Sequence, residues 1–158
     1  MWSERVYTEA VKRTAGLNKK RDVLQETVRI IRRKNMKVLI INGSPHKEGN
    51  TYIALKEMEK IFSEEGIESE IIQVGNKPIR GCTGCYACME KGQCVFGDCV
   101  NEIAPKFAEC DGLVIGSPVY YASANGTMIS FLDRLFYSTP FDKTMKAVSY
   151  THLTLPTT

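Results

Sequence analysis

The stretch from Lys37 to Thr51, KVLIIN followed by GSPHKEGNT, constrains the fold more than any other part of the chain. Val38, Leu39, Ile40 and Ile41 form an apolar run, mostly β-branched and short enough to be a strand buried on both faces. Gly43 and Pro45 stop that strand, and Ser44, His46, Asn50 and Thr51 bring small polar groups. Ile53, Leu55, Met58, Ile61 and Phe62 then recur at helical spacing. The stretch therefore reads as strand, polar turn and helix N-terminus. Such a turn aims free backbone N–H groups and the positive end of a helix dipole at one spot, which suits a phosphate. The same residues also describe an ordinary strand-to-helix turn capped by Asn50, and spacing alone does not separate the two readings. The motif lacks the G-K-[ST] of a P-loop and is not G-x-G-x-x-G.

Strand and helix signals alternate from there on. The first helix covers residues 50–65 and is ended by Gly66. Glu68 to Val74 is a second strand, and residues 75–98 are a long connection rich in Gly and Cys. Val100 to Cys110 is a short helix despite Pro105, and Gly112 to Gly116 is a third, buried strand. Ser117 to Asn125 is a polar, aromatic loop, and Gly126 to Tyr137 is a helix with Met128, Phe131, Leu132, Leu135 and Phe136 facing inward. Met145 to Ser149 is expected to be a fourth strand. This alternation predicts β-α-β units, hence an α/β fold with a doubly wound parallel sheet. Ligands of such sheets bind beyond the carboxyl ends of the strands. Loops 43–51 and 117–125 both follow strands, so they are expected to meet at one edge.

At 158 residues, with 43% apolar and 25% charged residues, the chain has the size and make-up of one globular domain. No apolar run approaches a membrane span and no signal-peptide core opens the chain, so a soluble, cytoplasmic protein is expected. The net charge of +3 is unevenly placed: residues 1–35 hold ten basic and four acidic side chains, the remainder eleven and fourteen. Residues 1–35 are thus a basic extension, with Val23, Leu24, Val28 and Ile31 on one side of a helical pattern. Met36 offers an alternative start. No aromatic platform or nucleic-acid motif accompanies the basic residues, so nucleic acid is not expected as a partner. Residues 36–148 form the domain proper. Residues 149–158 have no pattern that continues the fold and resemble a translated sequencing-adapter tail.

Six cysteines fall between Cys82 and Cys110, and Cys82, Cys85, Cys88 and Cys94 form C-x2-C-x2-C-x5-C. In a cytosolic chain such a group argues for metal or redox chemistry rather than a disulfide framework. Four thiolates can ligate an iron–sulfur cluster, and tight C-x2-C-x2-C runs are typical of that ligation. Zinc normally uses two separated C-x2-C knuckles, and free redox-active thiols are a third reading.

Three motifs carry a family resemblance. The GSPHKEGNT turn resembles the phosphate loop of the flavodoxin-like NAD(P)H-dependent FMN reductases, with His46 where that family usually has Arg or Lys. SPVYYASANGTMISFLDR, from Ser117 to Arg134, resembles the segment of the family that packs against the flavin ring. The cysteine spacing resembles that of the iron–sulfur flavoproteins of the same superfamily. Together the resemblance covers residues 37–148. It implies FMN, with its phosphate on Ser44, His46, Asn50 and Thr51 and its ring against Pro118, Val119, Tyr120 and Tyr121, with Ser123 and Asn125 close by. It implies a 4Fe–4S cluster on Cys82, Cys85, Cys88 and Cys94. NAD(P)H or a ferredoxin would supply electrons, to an acceptor the sequence does not name, in a homo-oligomer. Asp133 and Arg134 would make a surface or interface salt bridge. The expected function is an FMN-dependent oxidoreductase, with the flavin carrying the chemistry and no catalytic side chain required. An electron carrier without its own substrate and a non-catalytic metal-binding module are the alternatives. The family's sheet has five strands in the order 2-1-3-4-5. This chain supplies at most four, so its last strand and helix are expected to be missing.

Overall fold

The computed structural model describes residues 36–139 and 150–155. In chain order the elements are β1 (Lys37–Asn42), α1 (Asn50–Glu64), β2 (Glu68–Gln73), α2 (Ala87–Lys91), α3 (Cys99–Glu109), β3 (Gly112–Tyr120), β4 (Ser123–Ala124), α4 (Gly126–Ser138) and β5 (Tyr150–Leu155). The two most apolar strands, β1 and β3, lie side by side, with β2 outside β1 and β5 outside β3, all parallel. β2 carries the alternating sequence ESEIIQ with Glu68 and Glu70 exposed, the pattern of a strand paired on one side.

Successive residues of β1 point to opposite faces, and each face is covered by helix. Leu39 and Ile41 join Ile115 against Ile103 and Phe107 of α3 and Phe131 of α4. Val38 and Ile40 join Val114 against Leu55, Met58 and Phe62 of α1. The doubly wound parallel sheet expected from the sequence is therefore the observed one, with helices on both faces. The first helix ends as expected, with Gly66 in the left-handed region at φ 72°.

Two features differ from the sequence reading. β3 does not stop at Gly116 but runs through Pro118 to Tyr120, because Val119 and Tyr120 fold back in antiparallel pairing on Ala124 and Ser123. Ala87–Lys91 forms a short helix inside the long connection. Met145–Ser149, where the sequence leads one to expect a fourth strand, lie outside the described residues. The strand beside β3 is Tyr150–Leu155, with Leu113 opposite Tyr150 and Pro118 opposite Leu155. Its sequence, YTHLTL, is rich in residues that favour strands. The basic extension at residues 1–35 lies outside the described residues.

Phe131 is wholly buried between the sheet and α3. Phe131→Ala should lower stability by about 3–5 kcal/mol, because the packed surroundings cannot close the void. Urea unfolding checks this as a lower midpoint at unchanged slope.

Candidate functional site

β1 and β3 are in register, with Asn42 opposite Gly116, so the loops that follow them leave the sheet together. The Gly43 N–H donates to the Gly116 carbonyl at 2.7 Å. A Cβ on Gly116 would meet Leu55 Cδ1 at 2.8 Å and Thr51 Cγ2 at 2.9 Å, and one on Gly75 would sit 2.2 Å from the carbonyl oxygens of Gly43 and Ser44. Glycine at these places lets three chain segments crowd together at the sheet edge.

Buried amides hold the two loops in place. Asn42 is fully buried; its Oδ1 accepts from the Ser44 N–H at 3.0 Å and its Nδ2 donates to Gln73 Oε1 at 2.7 Å. Gln73 Nε2 closes the ring by donating to the Ser44 carbonyl. From the second loop, Asn125 Nδ2 donates to the Gly43 carbonyl, while its Oδ1 caps α4 by accepting from the Met128 N–H at 2.9 Å. Asn125 N–H also donates to Ser117 Oγ at 3.1 Å. One asparagine thus ties the second loop to the first. Asn42 and Gln73 were missed in the sequence, although an asparagine closing an otherwise apolar buried strand was a visible signal.

The N-cap of α1 is Gly49, not Asn50, and no side chain caps it. The first-turn N–H groups are therefore left to an outside acceptor, which favours the anion-site reading over the capped turn. Ser44 and Thr51 are buried beside this turn, whereas His46 and Asn50 are exposed. Ser44 Oγ accepts from the His46 N–H at 3.2 Å, which leaves its own O–H free to donate.

In the second loop Pro118 is buried, Val119 half-buried and Ser123 exposed. Tyr120 is 48% exposed and Tyr121 fully so, at 103%. Tyr121 and Ala122 lie in the left-handed region at φ 48° and 63°. For residues with a Cβ this costs on the order of 1 kcal/mol each. The β3–β4 pairing enforces it and carries both tyrosines past the sheet edge.

All four motif cysteines line a single pocket, closed on one side by Arg134, Tyr137 and Ser138 of α4. Cys82 and Cys85 are exposed, Cys88 and Cys94 half-buried. Among the described residues no three His, Cys, Asp or Glu side chains are gathered closely enough to hold one metal ion. Zinc requires its sulfurs about 2.3 Å from one centre, whereas a multi-iron cluster spreads its cysteines around a larger body. Four thiols around one pocket are a donor set that suits an iron–sulfur cluster. The Ala87 N–H draws the Cys85 thiol below its ordinary pKa, toward the ligating thiolate. Burial pushes the thiols of Cys99 and Cys110, both buried and outside the motif, up.

Arg134 overturns the expectation of a surface salt bridge: it is 1% exposed. Nη1 donates to Asp98 Oδ2 at 2.6 Å and to the Arg80 carbonyl at 3.3 Å, and Nη2 to Asp98 Oδ1 at 2.8 Å and to the Phe96 carbonyl at 3.3 Å. Nε donates to Cys94 Sγ at 3.3 Å. Two guanidinium groups lie over the Phe96 ring, Arg80 at 4.6 Å and Arg134 at 5.0 Å from its centroid. Asp98 also caps α3 by accepting from the Val100 N–H. Burial alone would raise its carboxyl, but the Arg134 hydrogen bonds, the Val100 N–H and the guanidinium charge outweigh burial and hold it below its ordinary value. Asp133 is exposed, as expected.

Comparison with known proteins places this geometry. The family model described as NADPH-dependent FMN reductase matches residues 36–153. An iron–sulfur flavoprotein of Methanocaldococcus jannaschii is 42% identical over 99 residues, covering 63% of this chain and 51% of that protein. An iron–sulfur flavoprotein of Archaeoglobus fulgidus is 38% identical over 100 residues, 63% of this chain and 46% of that one. The chain spans about half the length of the curated relatives it matches. Among solved structures, a flavone reductase superposes with a TM-score of 0.59 at 21% identity, over 77% of this chain and 43% of that one. An NAD(P)H:quinone oxidoreductase from Methanothermobacter marburgensis does so with 0.60 at 15% identity, over 77% and 65%. At such identities the likeness concerns the fold. No helix among the described residues is long and apolar enough to cross a membrane.

Asp98→Ala leaves a buried guanidinium without its carboxylate and should cost about 3 kcal/mol, the low end for a buried pair because Asp98 is partly exposed. The sign with pH follows from the lowered carboxyl. Its contribution is complete above the unfolded value of about 3.9 and is lost as pH falls through the lower folded value. Thermal midpoints followed downward from neutral pH should show that acid-linked loss in the parent and not in Asp98→Asn.

Proposed function

Because the chain belongs to the NADPH-dependent FMN reductase family, we propose that it binds FMN at the carboxyl edge of β1 and β3 and serves as a flavin-dependent oxidoreductase. The observation that carries this reading is the α1 N-terminus, which no side chain caps and which lies beside the buried Ser44 and Thr51. Backbone N–H groups and the two hydroxyls would hold the phosphate, with Asn50 and His46 at its outer side. The neutral form of His46 would contribute less than a fixed cation. Pro118, Val119, Tyr120 and Tyr121 would flank the ring, with Ser123 near its edge, and the aromatic faces would exclude water from one side. FMN, when bound, supplies the hydride and electron transfer.

Cys82, Cys85, Cys88 and Cys94 are proposed to hold a 4Fe–4S cluster, supported by their shared pocket and by the relatives described as iron–sulfur flavoproteins. NAD(P)H or a ferredoxin is the proposed electron source. A second reading, an electron carrier with no substrate of its own, is favoured by α4, which begins at the ring loop and ends at the cysteine pocket. NAD(P)H oxidation in the presence of FMN and a quinone or flavin acceptor separates the two readings: turnover supports the reductase, and its absence in flavin-loaded protein supports the carrier.

Ser44→Ala and Thr51→Val each remove one hydroxyl from the proposed phosphate site. Each should weaken FMN binding about tenfold or more, because hydrogen bonds to charged groups contribute roughly 1.5–3 kcal/mol. Quenching of flavin fluorescence on titration measures it, and unchanged affinity in both variants would remove the phosphate from this loop.

A further inference from the structure

We infer that Arg134 Nε and Ser138 Oγ are hydrogen-bond donors from α4 to the sulfurs of the cluster group and that they raise its reduction potential. The inference rests on the reading of Cys82, Cys85, Cys88 and Cys94 as cluster ligands and assigns two further residues to that centre. Arg134 and Ser138 are four residues apart in α4, hence on one face of the helix, and both line the cysteine pocket.

Arg134 is already committed. Its Nε–H reaches Cys94 Sγ at 3.3 Å, and its other nitrogens are fixed on Asp98, Arg80 and Phe96. The guanidinium is planar, so those four bonds fix the direction of the Nε–H as well. A lysine could replace the charge but not this arrangement.

Ser138 supplies the independent observation. It is 5% exposed, and its hydroxyl has no hydrogen-bond partner among the described residues. A buried hydroxyl without a partner is destabilising. A serine near a helix end ordinarily relieves this by bonding back to the carbonyl four residues earlier. The neighbouring Thr139 does so, donating to the Leu135 carbonyl at 2.7 Å. Ser138 does not, and it lines the pocket shared by the four cysteines. A sulfur acceptor in that pocket would satisfy it. An unsatisfied buried group in a folded protein calls for an explanation, and a bound acceptor is one.

The direction of the effect follows from charge. The reduced group carries one more electron than the oxidised one, and donors to its sulfurs stabilise the added negative charge. Removing a donor therefore lowers the potential.

The test uses the full chain, loaded anaerobically with ferrous iron and sulfide and titrated against redox mediators, as parent, Ser138→Ala, Ser138→Thr and Arg134→Lys. The expected result is a more negative potential in Ser138→Ala and Arg134→Lys at the parent's iron content, with recovery toward the parent value in Ser138→Thr. Before loading, Ser138→Ala should melt at or above the parent temperature, since it loses only an unsatisfied hydroxyl. A Ser138→Ala chain that loads iron and keeps the parent potential would overturn the inference and leave the cluster reading standing. A lower melting temperature of the unloaded Ser138→Ala would assign Ser138 a structural role and overturn its part. A parent chain that takes up no iron would overturn the inference together with the reading beneath it.

Discussion

A guanidinium taken out of water must satisfy a full charge and five N–H donors, and a fold that buries one is shaped by where those partners come from. Arg134 draws all of its partners from Arg80, Cys94, Phe96 and Asp98, within the long connection between β2 and α3. That connection contains only one short helix. Two of the partners are carbonyls, one is a thiol, and Asp98 simultaneously starts α3. The path of the cysteine loop is thus dictated from α4 rather than by its own local preferences.

The same helix is anchored at its other end by a different buried polar group. Asn125 caps α4 and binds the Gly43 carbonyl, so the loop after β3 cannot shift without pulling on the loop after β1. α4 therefore stands between the proposed flavin edge and the cysteine pocket, joined to each by side chains with little freedom to move. The apolar residues Met128, Phe131 and Leu135 fix the helix on the sheet between these two ends. This arrangement gives the electron-transfer reading its physical basis: one rigid element positions both candidate cofactor loops.

What was legible in the sequence was what depends on local pattern. The apolar runs of β1 and β3, the periodicity of α1 and α4, and the stop at Gly66 follow from burial and backbone geometry over a few residues. The meeting of loops 43–51 and 117–125 followed from parallel topology, since strands that run the same way release their loops at the same edge. That Cys82, Cys85, Cys88 and Cys94 line one pocket followed from their spacing. The features missed all depend on partners distant in the chain. Arg134 looked like a surface charge on an amphipathic helix because Asp98 and the carbonyls that neutralise and satisfy it lie 36 or more residues away. The Asn42–Gln73–Ser44 ring required knowing that β1 and β2 pair in register. Asn50 looked like a cap because asparagine prefers that position, yet the chain turns one residue earlier, at Gly49.

The central claim is that one chain holds FMN and an iron–sulfur cluster at the two ends of α4. An absorption spectrum of the anaerobically purified chain, recorded with chemical analysis of iron and flavin and repeated after reduction, tests it most directly. The account predicts flavin bands over a broad iron–sulfur absorption, both bleached by reductant, with about four irons for each FMN. A colourless protein that takes up neither flavin nor iron, or one that takes up zinc in preference to iron, would contradict it.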